Sequence, residues 1–148
     1  VYLPGGYPEL HAGRLAGNRR FLDGLRRAAA GGAFLYGECG GYMVLGDGLV
    51  DAEGRRHAMA GLLPLETSFA TPRLHLGYRR ATLEQDSPFG RRGTIFAGHE
   101  FHYATIADER PGEPLFALAD ATGAGRGAAG RVAGRVAGSF IHLIDRTE

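Results

Sequence analysis

Ala33-Phe34-Leu35-Tyr36-Gly37-Glu38-Cys39-Gly40-Gly41-Tyr42-Met43-Val44-Leu45 carries one apolar run into the chain's single cysteine and a second apolar run out of it. Glycines at positions 37 and 41 bracket Cys39. This is the layout of a nucleophile elbow, a strand turning abruptly into a helix around the attacking residue, here with cysteine in place of serine. The turn is tight enough for flanking side chains to collide, which calls for glycine. The helix beyond it would aim its free N–H groups and positive dipole end at the sulfur, so the sequence predicts a reactive thiolate. The plain alternative is a small cysteine filling a core, and that role has no need of glycine on both sides.

Working outward, Ala33 to Gly37 reads as the strand feeding the elbow, and the helix after it as running to about Leu49. Upstream, Leu10, Leu15, Phe21, Leu22 and Leu25 recur at roughly helical spacing with arginines between them. Gly13 and Gly17 weaken the first half, leaving a firmer helix from Asn18, a suitable N-cap, to Ala30, ended by Gly31-Gly32. Val1-Tyr2-Leu3 reads as the end of a further strand, with Pro4-Gly5-Gly6-Tyr7-Pro8-Glu9 as its loop. Strand, helix, strand, elbow, helix is the rhythm of an α/β parallel sheet. A start inside a strand suggests the C-terminal part of a domain whose first strands are missing. Beyond the turn at Asp51–Gly54, β-like runs span 73–83, 94–106, 115–120 and 136–145, the first two joined as an antiparallel meander by Asp86-Ser87-Pro88-Phe89-Gly90. Ala121 to Gly134, rich in Gly, Ala and Arg and ending in a short tandem repeat, is expected to be a mobile surface loop.

Composition narrows the chemistry. With 148 residues, 44% of them hydrophobic, the chain can build one substantial core. A net charge of +1 gives no reason to expect nucleic acid or an anionic membrane as partner, and no apolar run is long enough to span a bilayer. One cysteine cannot form an internal disulfide and is needed reduced, so a cytoplasmic site is the default. All 17 basic residues are arginine. Without lysine there is no Walker A phosphate loop and no Schiff base, so any ATP site serving this domain must lie elsewhere.

A thiolate nucleophile needs a base and an oxyanion hole. His142, in the apolar stretch Gly138-Ser139-Phe140-Ile141-His142-Leu143-Ile144, sits near a strand's C-terminal end, where open α/β sheets carry their chemistry. The N–H of Gly40 is the expected first oxyanion donor, and Gly5-Gly6, at the end of the neighbouring strand, can bring a second N–H close. In His99-Glu100-Phe101-His102-Tyr103, alternation puts Glu100 and His102 on one face and His99 on the other. A metal at His99 finds no cluster of ligands in sequence, so no metal is expected. Glu100 and His102 read instead as a polar layer behind the active cysteine.

Five segments in order carry a resemblance over nearly the whole chain. They are Leu3-Pro4-Gly5-Gly6-Tyr7-Pro8-Glu9, Tyr36-Gly37-Glu38-Cys39-Gly40-Gly41-Tyr42-Met43, Arg73-Leu74-His75-Leu76-Gly77-Tyr78-Arg79, Gly98-His99-Glu100-Phe101-His102-Tyr103, and Gly138-Ser139-Phe140-Ile141-His142. Together they resemble the glutamine amidotransferase domain of the cobyrinic or hydrogenobyrinic acid a,c-diamide synthase family of cobalamin biosynthesis. The resemblance implies a class I amidotransferase fold, a flavodoxin-like three-layer α/β sandwich, here truncated at its N-terminus and extended by antiparallel β structure in its C-terminal half. It implies that Cys39 forms a γ-glutamyl thioester from L-glutamine, that His142 is its base, and that Gly6 and Gly40 hold the oxyanion. ATP and Mg2+ would belong to a synthetase domain outside these 148 residues, which passes the ammonia to the a and c carboxylates of a corrinoid acceptor.

The chain departs from the class I pattern at one point. Those domains follow the catalytic histidine with proline and an orienting glutamate, where this chain has Leu143 and Ile144. Asp145 is a residue too far along, and alternation turns it away. The expectation is therefore a Cys–His dyad, with Glu100 or a backbone carbonyl as the orienting group. Related acceptors (a cobyric acid synthase, a cell-wall ligase partner), a free-standing cysteine hydrolase and a catalytically idle docking module remain as alternatives, and a homodimer is left open.

Overall fold

Apolar residues alternating across two short parallel strands, Leu35 against Tyr36 and Val136 against Ala137, divide the protein into two cores. A computed structural model describes residues 1–147. In chain order the elements are β1 (Tyr2–Leu3), a 3₁₀ turn (Pro8–His11), α1 (Ala12–Gly17), α2 (Arg19–Ala30), β2 (Leu35–Glu38), α3 (Gly40–Leu45), β3 (Gly48–Val50), β4 (Arg56–Ala58) and β5 (Leu65–Ser68). They continue with β6 (His75–Leu83), β7 (Ile95–His102), β8 (Thr105–Glu109), β9 (Phe116–Asp120), β10 (Gly125–Ala129), β11 (Arg131–Ala133), β12 (Val136–Ser139) and β13 (Ile141–Thr147).

The first sheet has the order β1-β2-β12-β11, parallel except for its last pair. Leu35 and Val136 on one of its faces share a core with Leu22 and Leu25 of α2 and Tyr42, Met43 and Leu45 of α3. On the other face, Tyr36 and Ala137 pack against Ala81, Phe96 and Phe116 of a five-stranded antiparallel sheet, ordered β10-β9-β6-β7-β13. The three layers are thus helices, a short parallel sheet, and an antiparallel sheet that takes the place of a second helical layer. A small mixed sheet, β4-β3-β5-β8, flanks α3.

Local chemistry accounts for the elements. The Asn18 side chain accepts from the Phe21 N–H at 3.1 Å and starts α2, and Gly31 ends it. Arg26 ties that helix to the loop before β5 through the carbonyls of Ala60 and Met59, at 2.9 and 3.0 Å. The meander predicted from 73–83 and 94–106 is β6 paired antiparallel with β7.

Several expectations are corrected. The helix after the elbow ends at Leu45 rather than Leu49, because the Gly46 N–H closes it onto the Met43 carbonyl and the chain leaves as β3. The small strands β4 and β5 lie in a stretch where no strand was expected. The expected loop at 121–134 contains β10 and β11, whose backbones pair with β9 and β12 despite their small side chains. The run 136–145 is not one strand: it leaves the parallel sheet after Ser139 and enters the antiparallel sheet at Ile141. Phe140 is the corner, and His142 stands just past it.

Candidate active site

At Cys39 the backbone adopts φ 51°, ψ −104°, making it the one non-glycine residue with positive φ among the described residues. A left-handed φ at a residue with a Cβ stores strain, and nucleophile elbows hold that strain to expose the attacking atom. Neighbouring contacts fix the turn: the Cys39 N–H donates to the Ser139 carbonyl at 2.8 Å, and its own carbonyl accepts from Met43 at 3.2 Å. A Cβ at position 37 would lie 2.6 Å from the Gly41 carbonyl, and one at 41 would run into the Leu3 carbonyl. The bracketing glycines therefore let β1, β2 and α3 meet at one point.

Gly5, Gly6, Cys39 and His142 line one cavity of about 340 Å3. Gly5 lies between the two reactive side chains: a Cβ there would sit 2.8 Å from His142 Cε1 and 3.8 Å from Cys39 Cβ. A Cβ on Gly40 would lie 2.9 Å from the Gly6 nitrogen, so the two loops expected to share an oxyanion are in contact. Cys39 Sγ is directed at the Phe101 carbonyl, 3.7 Å away.

The thiol is not poised as the sequence predicted. Burial pushes its pKa up to about 11, the Glu38 and Glu9 carboxylates add to the rise, and only the Gly40 N–H opposes it. The helix dipole cannot outweigh this: α3 is six residues long and the sulfur is desolvated. Cys39 rests as a thiol and must lose its proton during attack.

His142 Nδ1 lies 3.3 Å from Glu38 Oε1. Glu38 is nearly buried, and its carboxylate also accepts from the Tyr2 hydroxyl at 3.0 Å and from the Leu143 N–H at 3.2 Å. With Nδ1 turned to Glu38, Nε2 is the ring nitrogen left free of that carboxylate. The imidazole is further held by stacking on His99, centroids 4.7 Å apart and planes within 8°. An elbow cysteine sharing a cavity with a carboxylate-paired histidine narrows the kinship, and the match to known families decides it: residues 1–147 fit the model of the CobB/CobQ-like glutamine amidotransferase domain. This chain belongs to that family.

Its relatives agree. The chain is 58% identical over 148 residues to a hydrogenobyrinate a,c-diamide synthase of Rhizobium meliloti, covering 100% of this chain and 34% of that protein. It is 59% identical over 144 residues to the synthase of the same name from Rhodobacter capsulatus, covering 97% and 33%. The amidotransferase domain thus spans about a third of the length of the curated relatives it matches. A solved structure described as a glutamine amidotransferase superposes with a TM-score of 0.64 at 20% identity, covering 95% of this chain and 68% of that one, which shows a shared fold.

The remaining predicted residues are distributed as follows in the amidotransferase domain. His102 lines the cavity, with Nδ1 3.0 Å from the Ala104 carbonyl and Nε2 2.9 Å from Glu100 Oε1. Glu100 does not orient His142. It is bound to His102 and to Arg79, whose guanidinium lies 2.7 Å from Oε2. The hydrogen bond from His102 and the nearby arginine together hold the Glu100 carboxyl below its usual range. His75 stacks on His102, so His75, Glu100 and His102 bring three potential metal ligands together. The Arg79 cation lies on Oε2 of that carboxylate, and its charge disfavours a second cation beside it. Asp145 lies beyond a bulge, exposed, and accepts from the Arg146 N–H.

Sequence reasoning missed Glu38 and Glu9. Glu38 is adjacent to the nucleophile, and strand alternation should turn neighbouring side chains apart. The left-handed kink at Cys39 and the sheet corner at Phe140 bring its carboxylate back to His142. Its signal was the presence of an acid in an otherwise apolar strand. Glu9, at the end of the Gly5-Gly6 loop, lines the cavity as well.

Proposed function

We propose that this chain is the glutamine-hydrolysing part of a hydrogenobyrinate or cobyrinate a,c-diamide synthase, in which Cys39 takes the γ-acyl group of L-glutamine. The observation that carries the reading is the single cavity in which an elbow cysteine and a carboxylate-paired histidine face one another across Gly5. The thiol rotates off the Phe101 carbonyl and Sγ attacks the amide carbon while its proton passes to His142 Nε2. The N–H groups of Gly40 and Gly6 receive the charge that develops on the carbonyl oxygen. His142 returns the proton to the departing nitrogen, the C–N bond breaks, and ammonia leaves a γ-glutamyl thioester on Cys39. Water then gives a proton to the same imidazole and attacks the thioester carbon; the C–S bond breaks, the proton returns to Sγ, and glutamate is released. Glu38 orients His142 and offsets the positive charge it acquires, the role that a glutamate beyond the histidine fills in the class I pattern.

Ammonia would pass to an ATP-dependent synthetase portion of the full-length protein that amidates the a and c carboxylates of the corrinoid. This chain has no lysine for a Walker A phosphate loop. Leu76, Tyr78 and Phe101 on the β6–β7 pair and Tyr103 just after it are exposed, and Phe101 and Tyr103 also line the cavity, so an apolar surface borders the site from which ammonia must leave. The a,c-diamide reading is favoured over other acceptors by the name shared by relatives at 58–59% identity. A glutaminase assay on the full-length protein, with Cys39→Ala as control, tests the reading. Glutamine hydrolysis that survives loss of Cys39 would refute it.

A further inference from the structure

Glu9 sits in the 3₁₀ turn that follows the Gly5-Gly6 loop and lines the same cavity as Cys39. It is the only carboxylate among the lining residues, and no arginine accompanies it. Its Oε2 is buried and has no hydrogen-bond partner among the described residues. Every other buried carboxylate near the site is spoken for: Glu38 by Tyr2, Leu143 and His142, and Glu100 by Arg79 and His102. A desolvated carboxylate oxygen with no donor is costly, and such a group in a cavity is relieved by a donor that arrives with the ligand. The walls around it, Met43, Phe69 and Phe101, suit methylenes rather than charge.

We infer that Glu9 is the anchor for the α-ammonium group of the amino-acid substrate. The inference rests on the glutaminase reading and adds what that reading leaves out, namely how the pocket tells glutamine from any other primary amide. In glutamine the ammonium stands a short methylene chain from the reacting carbonyl. With that carbonyl over Cys39 and the methylenes on Met43, Phe69 and Phe101, the cation reaches the unpartnered Oε2 of Glu9. An ammonium there does a second thing. Glu9 is one of the charges that disfavour a thiolate at Cys39, so a cation on Glu9 lowers the barrier to deprotonation only when the correct substrate is bound.

The test compares glutamine with glutaramate, the same amide acid without its amino group, on the full-length protein. The parent should prefer glutamine in kcat/KM. Glu9→Gln should lower kcat/KM for glutamine by about 10–100-fold, mostly through KM, and that for glutaramate by less than about 3-fold, so that the preference collapses. Glu9→Asp, which keeps the charge, should retain part of the preference. Equal losses on both substrates, or a parent protein that does not distinguish them, would overturn the assignment. The parent measurement and Glu9→Asp keep the test decisive if Glu9→Gln does not fold. Absence of glutamine hydrolysis in the parent, or its persistence in Cys39→Ala, is a separate result that removes the glutaminase reading and this inference with it.

Discussion

Glu38 Oε1 lies 3.3 Å from His142 Nδ1, so the residue immediately before the nucleophile is the one that pairs with the base. The class I pattern places its acid just beyond the histidine; here it comes from the strand that carries the cysteine. One carboxylate also accepts the Leu143 N–H, which joins the start of β13 to the end of β2 and sets the position of His142 against the elbow. Replacing Glu38 by Gln keeps the shape but removes the charge that stabilises protonated His142 and fixes its tautomer. The expected result is a fall in glutaminase kcat of roughly 10²–10⁴-fold with KM for glutamine within about 3-fold. Steady-state kinetics on folded protein checks it, with Glu38→Asp expected to recover part of kcat. An unchanged kcat per folded molecule would leave Glu38 with a structural role only.

The resting thiol gives a second expectation. With its pKa raised to about 11 by burial and by two nearby carboxylates, Cys39 in the free enzyme is almost wholly protonated at neutral pH. Alkylation by iodoacetamide should therefore be slow at pH 7 and still rising tenfold per pH unit at pH 9, where an ordinary thiol with a pKa of about 8.5 has begun to level off. A plateau below pH 8 would show that the thiolate is formed without substrate.

Much of this molecule can be read from its residues, and the part that cannot has identifiable causes. Gly37, Cys39 and Gly41 are informative because a tight turn tolerates so few residues, and the Asn18 cap and the Gly31 stop are local for the same reason. The strands at 125–129 and 131–133 escaped because Gly, Ala and Arg carry no alternation; backbone pairing to β9 and β12 makes them strands. The break at Phe140 is set by which sheet each half joins, a long-range choice. Glu38 and Glu9 are legible only once three loops meet around Cys39. The raised pKa of Cys39 is not legible either, because a helix dipole can be read from sequence, whereas desolvation depends on what packs above the sulfur.

The elbow's glycines and the helical glycines should respond in opposite directions. A Cβ at position 41 meets the Leu3 carbonyl, which belongs to a paired strand and cannot retreat without breaking β1 from β2. Gly41→Ala should cost about 1–3 kcal/mol or more of stability. Gly24, inside α2, has only the tip of Arg27 near its would-be Cβ, at 4.0 Å. Gly24→Ala should stabilise by about 0.5–1 kcal/mol through helix propensity. Denaturant midpoints for the two variants, measured side by side in the same parent, check both signs.

Glu100 sets an acid limit on the fold. Its hydrogen bond from His102 and its pairing with Arg79 hold the folded-state carboxyl below its ordinary value. A depressed carboxylate contributes stability that is fully present above the unfolded-state pKa of about 4.3 and is lost as pH falls through the lower folded value. Asp51, depressed first by its hydrogen bond with His57, and Asp120, depressed first by Thr122, act in the same direction. The denaturant midpoint should hold between pH 7 and pH 5 on this account and fall steeply below about pH 4. Glu100→Gln should be less stable than the parent at pH 7 and lose less on going to pH 3, because the group that would have been protonated is already neutral. Equal acid-induced losses in the two proteins would place the limit at other carboxylates.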